Sequence, residues 1–494
     1  VAEADDRPTG TQRRPGARRR VLVVGGGISG LAAAWRLAAE GDLDVAVLEH
    51  TGACGGKLRA GELAGLPLDL GAESVLARRP EAVDLFAELG LADQVVHPVT
   101  ATASVFSRGR LHPLPAGTLM GVPADPETLR GLLTDEEVAR AAREPDLPAA
   151  ALTEDVDVAS WVGARVGPAV VDRLVDPLLG GVYAGRADRL SLAATLPPLW
   201  EQARRGGSLL RAAQAAAATQ AESGGGPVFA GLRGGVGRLP ARLVERLAAA
   251  GVQVRTGTTV RGLEATPTGW RLLTGPVSGG GAEEADGVLL AVPPAPAARL
   301  LARACPAAAA ELAGIETASV AVVTVLVRRT DLAGLAGSGF LVPAVEGHPV
   351  KAVTFSAAKW AWVDALHPDL VPFRMSLGRA GEAEVLQRDD ADLLRLAVAD
   401  VSAMLGRPVR PVAGTVTRWG GGLPQYAVRH LDRVRRLRAA LDAVPGLAIC
   451  GAALDGVGVP ACIAAAGLAA ARLRAGLEAA GLRVGASGGA QWRP

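Results

Sequence analysis

Lysine is almost missing from this chain. Among 494 residues only Lys57, Lys351 and Lys359 occur, so nearly all the positive charge is arginine. The formal net charge is only +2 and the basic residues are spread along the chain, which leaves no electrostatic footprint for a nucleic acid. A small-molecule ligand is expected instead. Cysteine is scarce as well. Cys54, Cys305, Cys450 and Cys462 form no CxxC pair and no regular framework, which argues against a disulfide scaffold or a metal site and fits a reducing cytoplasm. The opening stretch has no apolar signal core, and Arg13–Arg20 leads straight into a strand. Pro, Gly or charge interrupts each apolar run, as Asp455 and Pro460 do between Leu447 and Leu473. Secretion and a transmembrane helix are therefore not expected. The six histidines are scattered, and no Ser-His-Asp, HExxH or paired-carboxylate constellation occurs, so no side chain is assigned a catalytic role.

What is present starts near Arg20. The length favours two or three domains, one of them interrupted by others. Residues 1–18 are polar and arginine-rich and, like 484–494, are expected to be disordered. Val21–Val24 is a β-branched run that enters Gly25, Gly26, Gly27, Ile28, Ser29 and Gly30, and an Ala/Leu-rich helix follows over Leu31–Glu40. This is GxGxxG between a strand and a helix. Gly25 would make the tight turn, Gly27 would let backbone approach a pyrophosphate, and Gly30 would let helix and strand pack closely. Glu49 ends the second strand, Val45–Leu48, where a carboxylate can accept from ribose hydroxyls. His50 is its neighbour in the same cofactor contact. Further strands are expected at 252–254, 260–263, 270–273, 287–292 and 447–450, helices at 80–91, 239–249 and 461–477, and a helical pattern over 118–220. A second sheet is expected from 319–327, 340–342, 352–355 and 373–377.

After Glu49, the run Cys54-Gly55-Gly56-Lys57 resembles the amine oxidase and protoporphyrinogen oxidase flavoproteins, whose ribose acid is followed by a second Gly-Gly and a basic residue. The resemblance implies FAD and places Lys57 near its phosphates. Leu68–Ser74 is similar to the family turn against the flavin, which brings in Gly71, Ala72, Glu73 and Ser74. Asp176–Leu192 (DPLLGGVYAGRADRLSL), Phe229–Leu239, Trp419–Leu431 and Gly451–Ile463 (GAALDGVGVPACI) resemble the HemY-type porphyrinogen oxidase branch. Arg429 replaces a usual glycine there, Ala452 a usual asparagine and Ala461 a usual aspartate. By this resemblance Val457, Gly458 and Val459 meet the flavin through backbone, Val260 presents backbone to the adenine, and Trp419 lies near the flavin. Arg79 and Tyr426 are the substrate-binding candidates, Arg79 as a partner for a propionate.

The implied fold is α/β, α+β overall. It has a discontinuous Rossmann-like FAD domain (19–91, 227–297 and 443–482), an inserted mixed-sheet substrate domain (92–117, 197–226 and 298–442) and a helical domain (118–196). The implied activity is six-electron oxidation of coproporphyrinogen III to coproporphyrin III in haem biosynthesis, with O2 reduced to H2O2. Protoporphyrinogen IX is the alternative substrate, and an amine oxidase or a non-catalytic flavin-binding relative the further ones. The chain is expected in the cytoplasm. Its helical domain is the expected place for peripheral membrane contact and for transient contact with the next enzyme of the pathway.

Overall fold

The structure, a computed structural model, describes residues 18–100, 102–148, 150–222 and 226–486. Strands apolar on both faces need cover on both faces, and the first sheet is built this way. Arg19–Val24, Leu43–Leu48, Gln253–Arg255, Gly287–Leu290 and Leu447–Ile449 pair in parallel, in the order 253–255, 43–48, 19–24, 287–290, 447–449. Three separate stretches of chain therefore share one sheet. The helices Ile28–Ala38 and Val459–Ala486 cover one face, where Ala32, Ala33 and Ala34 share a core with Ile463, Ala466 and Ala470. The other face is covered by Pro294–Ala304, Pro306–Ala313 and His430–Asp442, through Leu301, Leu312 and Leu437 against Leu22, Leu48 and Leu290.

The second sheet has seven strands, in the order Pro411–Pro424, Thr317–Arg328, Leu370–Leu377, Val350–Thr354, Gly339–Leu341, Ser104–Ser107, Arg110–Pro113. Only the Gly339–Leu341 and Ser104–Ser107 pair is parallel. Helix Asp390–Leu405 packs on it through Leu393, Ala397 and Val401. A third core gathers helices between 135 and 222 around Val162, Leu174, Leu199 and Leu209. Helices Pro197–Arg205 and Leu209–Glu222, assigned from sequence to the substrate domain, pack in this core.

Several expectations need correction. The segment read as helical from 118 opens on a small hairpin, Thr118–Leu119 with Val122–Pro123, because Gly121 at φ +89° turns the chain back. The run 168–183 contains a π-helical turn at Val171–Val175. The C-terminal helix continues to Ala486, into the segment expected to be disordered; residues 1–17 and 487–494 lie outside the described residues. Pro460 does not interrupt that helix, since it sits in the first turn, where a missing N–H breaks no intrahelical bond. As a result Val459–Ala479 is long and apolar enough to cross a membrane by length and composition, and half of it is buried within the protein.

Candidate cofactor and substrate cleft

The glycine loop has the geometry of a cradle. Gly25 takes φ +108°, and a Cβ on it would lie 2.6 Å from the Ala291 carbonyl oxygen. A Cβ on Gly30 would lie 1.8 Å from Gly25 O, so this contact between turn and helix tolerates no side chain. A Cβ on Gly26 would lie 2.7 Å from Cys54 Sγ. Gly27 differs. Nothing lies within 4 Å of the Cβ it lacks, so its backbone faces open space at the N-terminus of the helix that begins at Ile28. That combination suits an anion laid against helix N–H groups. The second glycine pair lies against the first: Gly55 N–H donates to Gly26 O at 2.8 Å, and a Cβ on Gly56 would approach Gly27 Cα to 3.4 Å.

Glu49 is 7% exposed at the end of its strand. Its carboxylate accepts from Gly26 N–H at 2.7 Å and from Thr51 N–H and Oγ1 at 2.8 and 2.7 Å. A carboxylate has about four acceptor positions, so capacity for a ribose hydroxyl remains. His50 is exposed beside it, with Nδ1 3.0 Å from Glu49 Oε1. Thr258 N–H donates to Glu49 O at 2.8 Å, which brings the start of the strand Val260–Thr266 to the same edge.

Lys57 is exposed to water, yet burial of its surroundings lowers its pKa. Both hold because it lines an internal cleft rather than the outer surface. Its Cε lies 3.5 Å from the Cβ position of Gly422, in the strand that carries Trp419, and its charge acts on the Cys462 thiol of the C-terminal helix. Burial pushes that thiol up, partly offset by a hydrogen bond with Ser29 and by Lys57. Gly71 closes the cleft on the near side: a Cβ there would lie 2.0 Å from Lys57 O, and Ala72 N–H donates to the same oxygen at 3.0 Å. Gly456 at φ +133° precedes Val457, Gly458 and Val459, where the C-terminal helix begins. Trp419 is half-buried against Ala184 and Ala318.

One assignment changes. Tyr426 is not a substrate contact, because it is 2% exposed and its hydroxyl is spent on protein. It donates to Ala452 O at 2.6 Å and accepts from Gly456 N–H at 2.7 Å, while its ring stacks on His430 at 3.9 Å. Tyr426 holds the C-terminal turn in place. Glu73, expected at the flavin as part of the Gly71 turn, has its carboxylate engaged by protein. It is buried under Lys359 at 2.7 Å and Arg374 at 3.2 Å, and Ser74 Oγ lies 3.4 Å from Lys359 Nζ. Burial pushes the Glu73 carboxyl up, but the two cations outweigh it and hold it down to about 2. Arg374 also donates to Gly71 O at 2.6 Å, so this cluster ties the Gly71 turn to the second sheet. Arg79 precedes the helix Pro80–Glu88, and its guanidinium is paired with Glu81.

Sequence reasoning gave several residues no role of their own, although Asp69 and Gln425 stand in blocks that carried the resemblance. Asp69 accepts from Val236 and Gly237 N–H at 3.0 and 2.7 Å and fixes the turn before helix Leu239–Ala249, while burial pushes its carboxyl up to about 6. Gln425 donates to Tyr183 O at 2.8 Å. Lys359 and Arg374 were missed, although Lys359 carried one signal: in a chain with three lysines, each lysine is a departure from the arginine habit.

Three comparisons bear on this cleft. The family model described as flavin containing amine oxidoreductase matches residues 28–474. A coproporphyrinogen III oxidase of Mycobacterium leprae is 40% identical over 453 residues, covering 91% of this chain and 97% of that one. A coproporphyrinogen III oxidase of Bacillus subtilis is 30% identical, covering 90% and 96%. The crystal structure of a protein from Exiguobacterium sp. 255-15, provisionally described as a protoporphyrinogen oxidase, superposes with a TM-score of 0.81 at 31% identity, covering 94% of this chain and 99% of that one.

Proposed function

Since this chain belongs to the flavin containing amine oxidoreductase family, we propose that it is an FAD-dependent oxidase that converts coproporphyrinogen III to coproporphyrin III. The observation that carries the reading is that Lys57, next to the glycine pair that lies against Gly27, comes within 3.5 Å of the Cβ position of Gly422 and acts on Cys462 of the C-terminal helix. FAD is preferred over a mononucleotide because the cradle pairs a helix N-terminus at Gly27 with a ribose acid at Glu49. Gly25–Gly30, Glu49, His50, Val260 and Lys57 would hold the nucleotide end, and Gly71, Ala72 and Val457–Val459 the flavin end. Bound flavin supplies the acceptor for hydride lost from the macrocycle's meso CH2 groups, for which the pyrrole nitrogens stabilise the developing cation.

The chain's own residues then have to position and enclose. Asp69 and the Glu73 cluster lock the Gly71 turn, and Tyr426 locks the Gly456 turn, so both walls are preorganised. Six electrons leave the substrate in three pairs, and with three O2 as acceptors the balance is coproporphyrin III plus three H2O2. Protoporphyrinogen IX is the second reading, favoured by the Exiguobacterium likeness. The test is the visible spectrum of the purified protein, followed by addition of either porphyrinogen in air while porphyrin fluorescence and peroxide are recorded. A flavin spectrum and faster oxidation of coproporphyrinogen III are expected. A flavin-bearing protein that forms neither porphyrin would overturn the reading.

A further inference from the structure

One buried cation has no counter-charge. Lys351, in the strand Val350–Thr354, is 7% exposed. Its Nζ donates to Gly180 O at 3.4 Å, and among the described residues no carboxylate lies within 4.0 Å of it. The groups facing it do not supply one. Arg379 is also buried and spends its donors on His348 O and Val342 O, each at 3.1 Å. Glu382 attracts Lys351, but it is half-exposed and held by Arg379 at 3.4 Å and Arg186 at 3.9 Å. Burial first, and Arg379 second, bring the Lys351 ammonium down to about 7. An unpaired buried charge is expensive, and an arriving anion would relieve the cost.

The position fits a substrate group. Gly180 lies on helix Asp176–Tyr183, and Tyr183, one turn further on, packs at 5.4 Å on Tyr426, which holds the Gly456 turn. Gly181 and Val182 between them are exposed, and Leu341 and Val457 pack on the same apolar core. These contacts link the Val457 turn, through Tyr426 and Tyr183, to the helix on which Lys351 rests. We propose that Lys351 receives a propionate carboxylate of the tetrapyrrole and sets the rotation of the macrocycle relative to that turn. The inference rests on the porphyrinogen reading above.

The test compares coproporphyrinogen III with its tetramethyl ester, which has no carboxylate, on the flavin-loaded protein and its Lys351→Met and Lys351→Arg variants. Lys351→Met should raise KM for the acid by roughly ten- to hundredfold, the size of a lost charge-assisted hydrogen bond. KM for the ester and kcat for both should move little, and Lys351→Arg should restore most of the preference. An acid-to-ester ratio unchanged in Lys351→Met would overturn the proposal, as would equal loss on both substrates. Failure of the unsubstituted protein to oxidise any porphyrinogen would instead overturn the function.

Discussion

Glu73 is the clearest case of one side chain serving two domains. Its carboxylate neutralises Lys359 and Arg374, which come from the second sheet and the turn beside it, while its backbone belongs to the Gly71 turn. Replacing it by glutamine would leave two largely enclosed cations, 14% and 12% exposed, with no counter-charge, and a loss of about 3 kcal/mol of stability is expected. The pH dependence has a definite sign. The folded carboxyl is held at about 2 against an ordinary 4.5, so its contribution is complete above about 4.5 and is lost as pH falls towards 2, amounting to roughly 3 kcal/mol. Urea unfolding of the parent and Glu73→Gln at pH 6 and pH 3 should show the gap between them shrinking in acid; a constant gap would contradict this. The glycines were legible from sequence because their constraint is local: Gly25 needs φ +108°, and Gly30 has no room for a Cβ. Glu73, Lys359 and Arg374 were not, since their pairing spans 286 and 301 residues. Arg429 lies between these cases. The missing glycine was visible, and the structure shows its consequence: arginine at φ +68°, a strained conformation, with its N–H donating to Asp155 at 2.7 Å.

Elements with a strong period were read nearly to their ends, as Leu239–Ala249 was, and the buried strand at Gly287 followed from its unbroken apolar run. The errors came where neighbours, rather than periodicity, decide. Pro460 looks like a helix breaker but starts a helix, and the Thr118–Val122 hairpin depends on one glycine inside an apparently helical tract. The C-terminal helix is the element on which the most depends, because its first turn meets the cleft and its middle packs on Ile28–Ala38 through alanines. Ala466 is 0% exposed at that contact, so Ala466→Leu should overpack it and cost about 1–3 kcal/mol in thermal unfolding. Leu468→Ala, on the 62% exposed face of the same helix, should stay within about 0.5 kcal/mol. Equal effects would mean the helix does not pack as described.

At the scale of the molecule, the first sheet joins stretches that begin near residue 19, near 253 and near 447, and the cleft is assembled only when all three have met. A sequence shows each wall but not their meeting, because nothing in the local pattern at Lys57 announces Gly422 or Cys462 across the space. The scarcity of lysine has a practical consequence here. Lys351 has a buried side chain and Lys359 is 14% exposed and paired with Glu73, whereas Lys57 is open to water. Apart from the terminal amine, Lys57 is therefore the lysine most open to an acylating reagent, and it stands where the dinucleotide is expected to lie. Peptide mass spectrometry after brief acetylation should find Lys57 modified in flavin-stripped protein and spared once FAD is restored, so that a single mass increment reports cofactor occupancy. Equal labelling in both states would put Lys57 outside the cofactor's footprint.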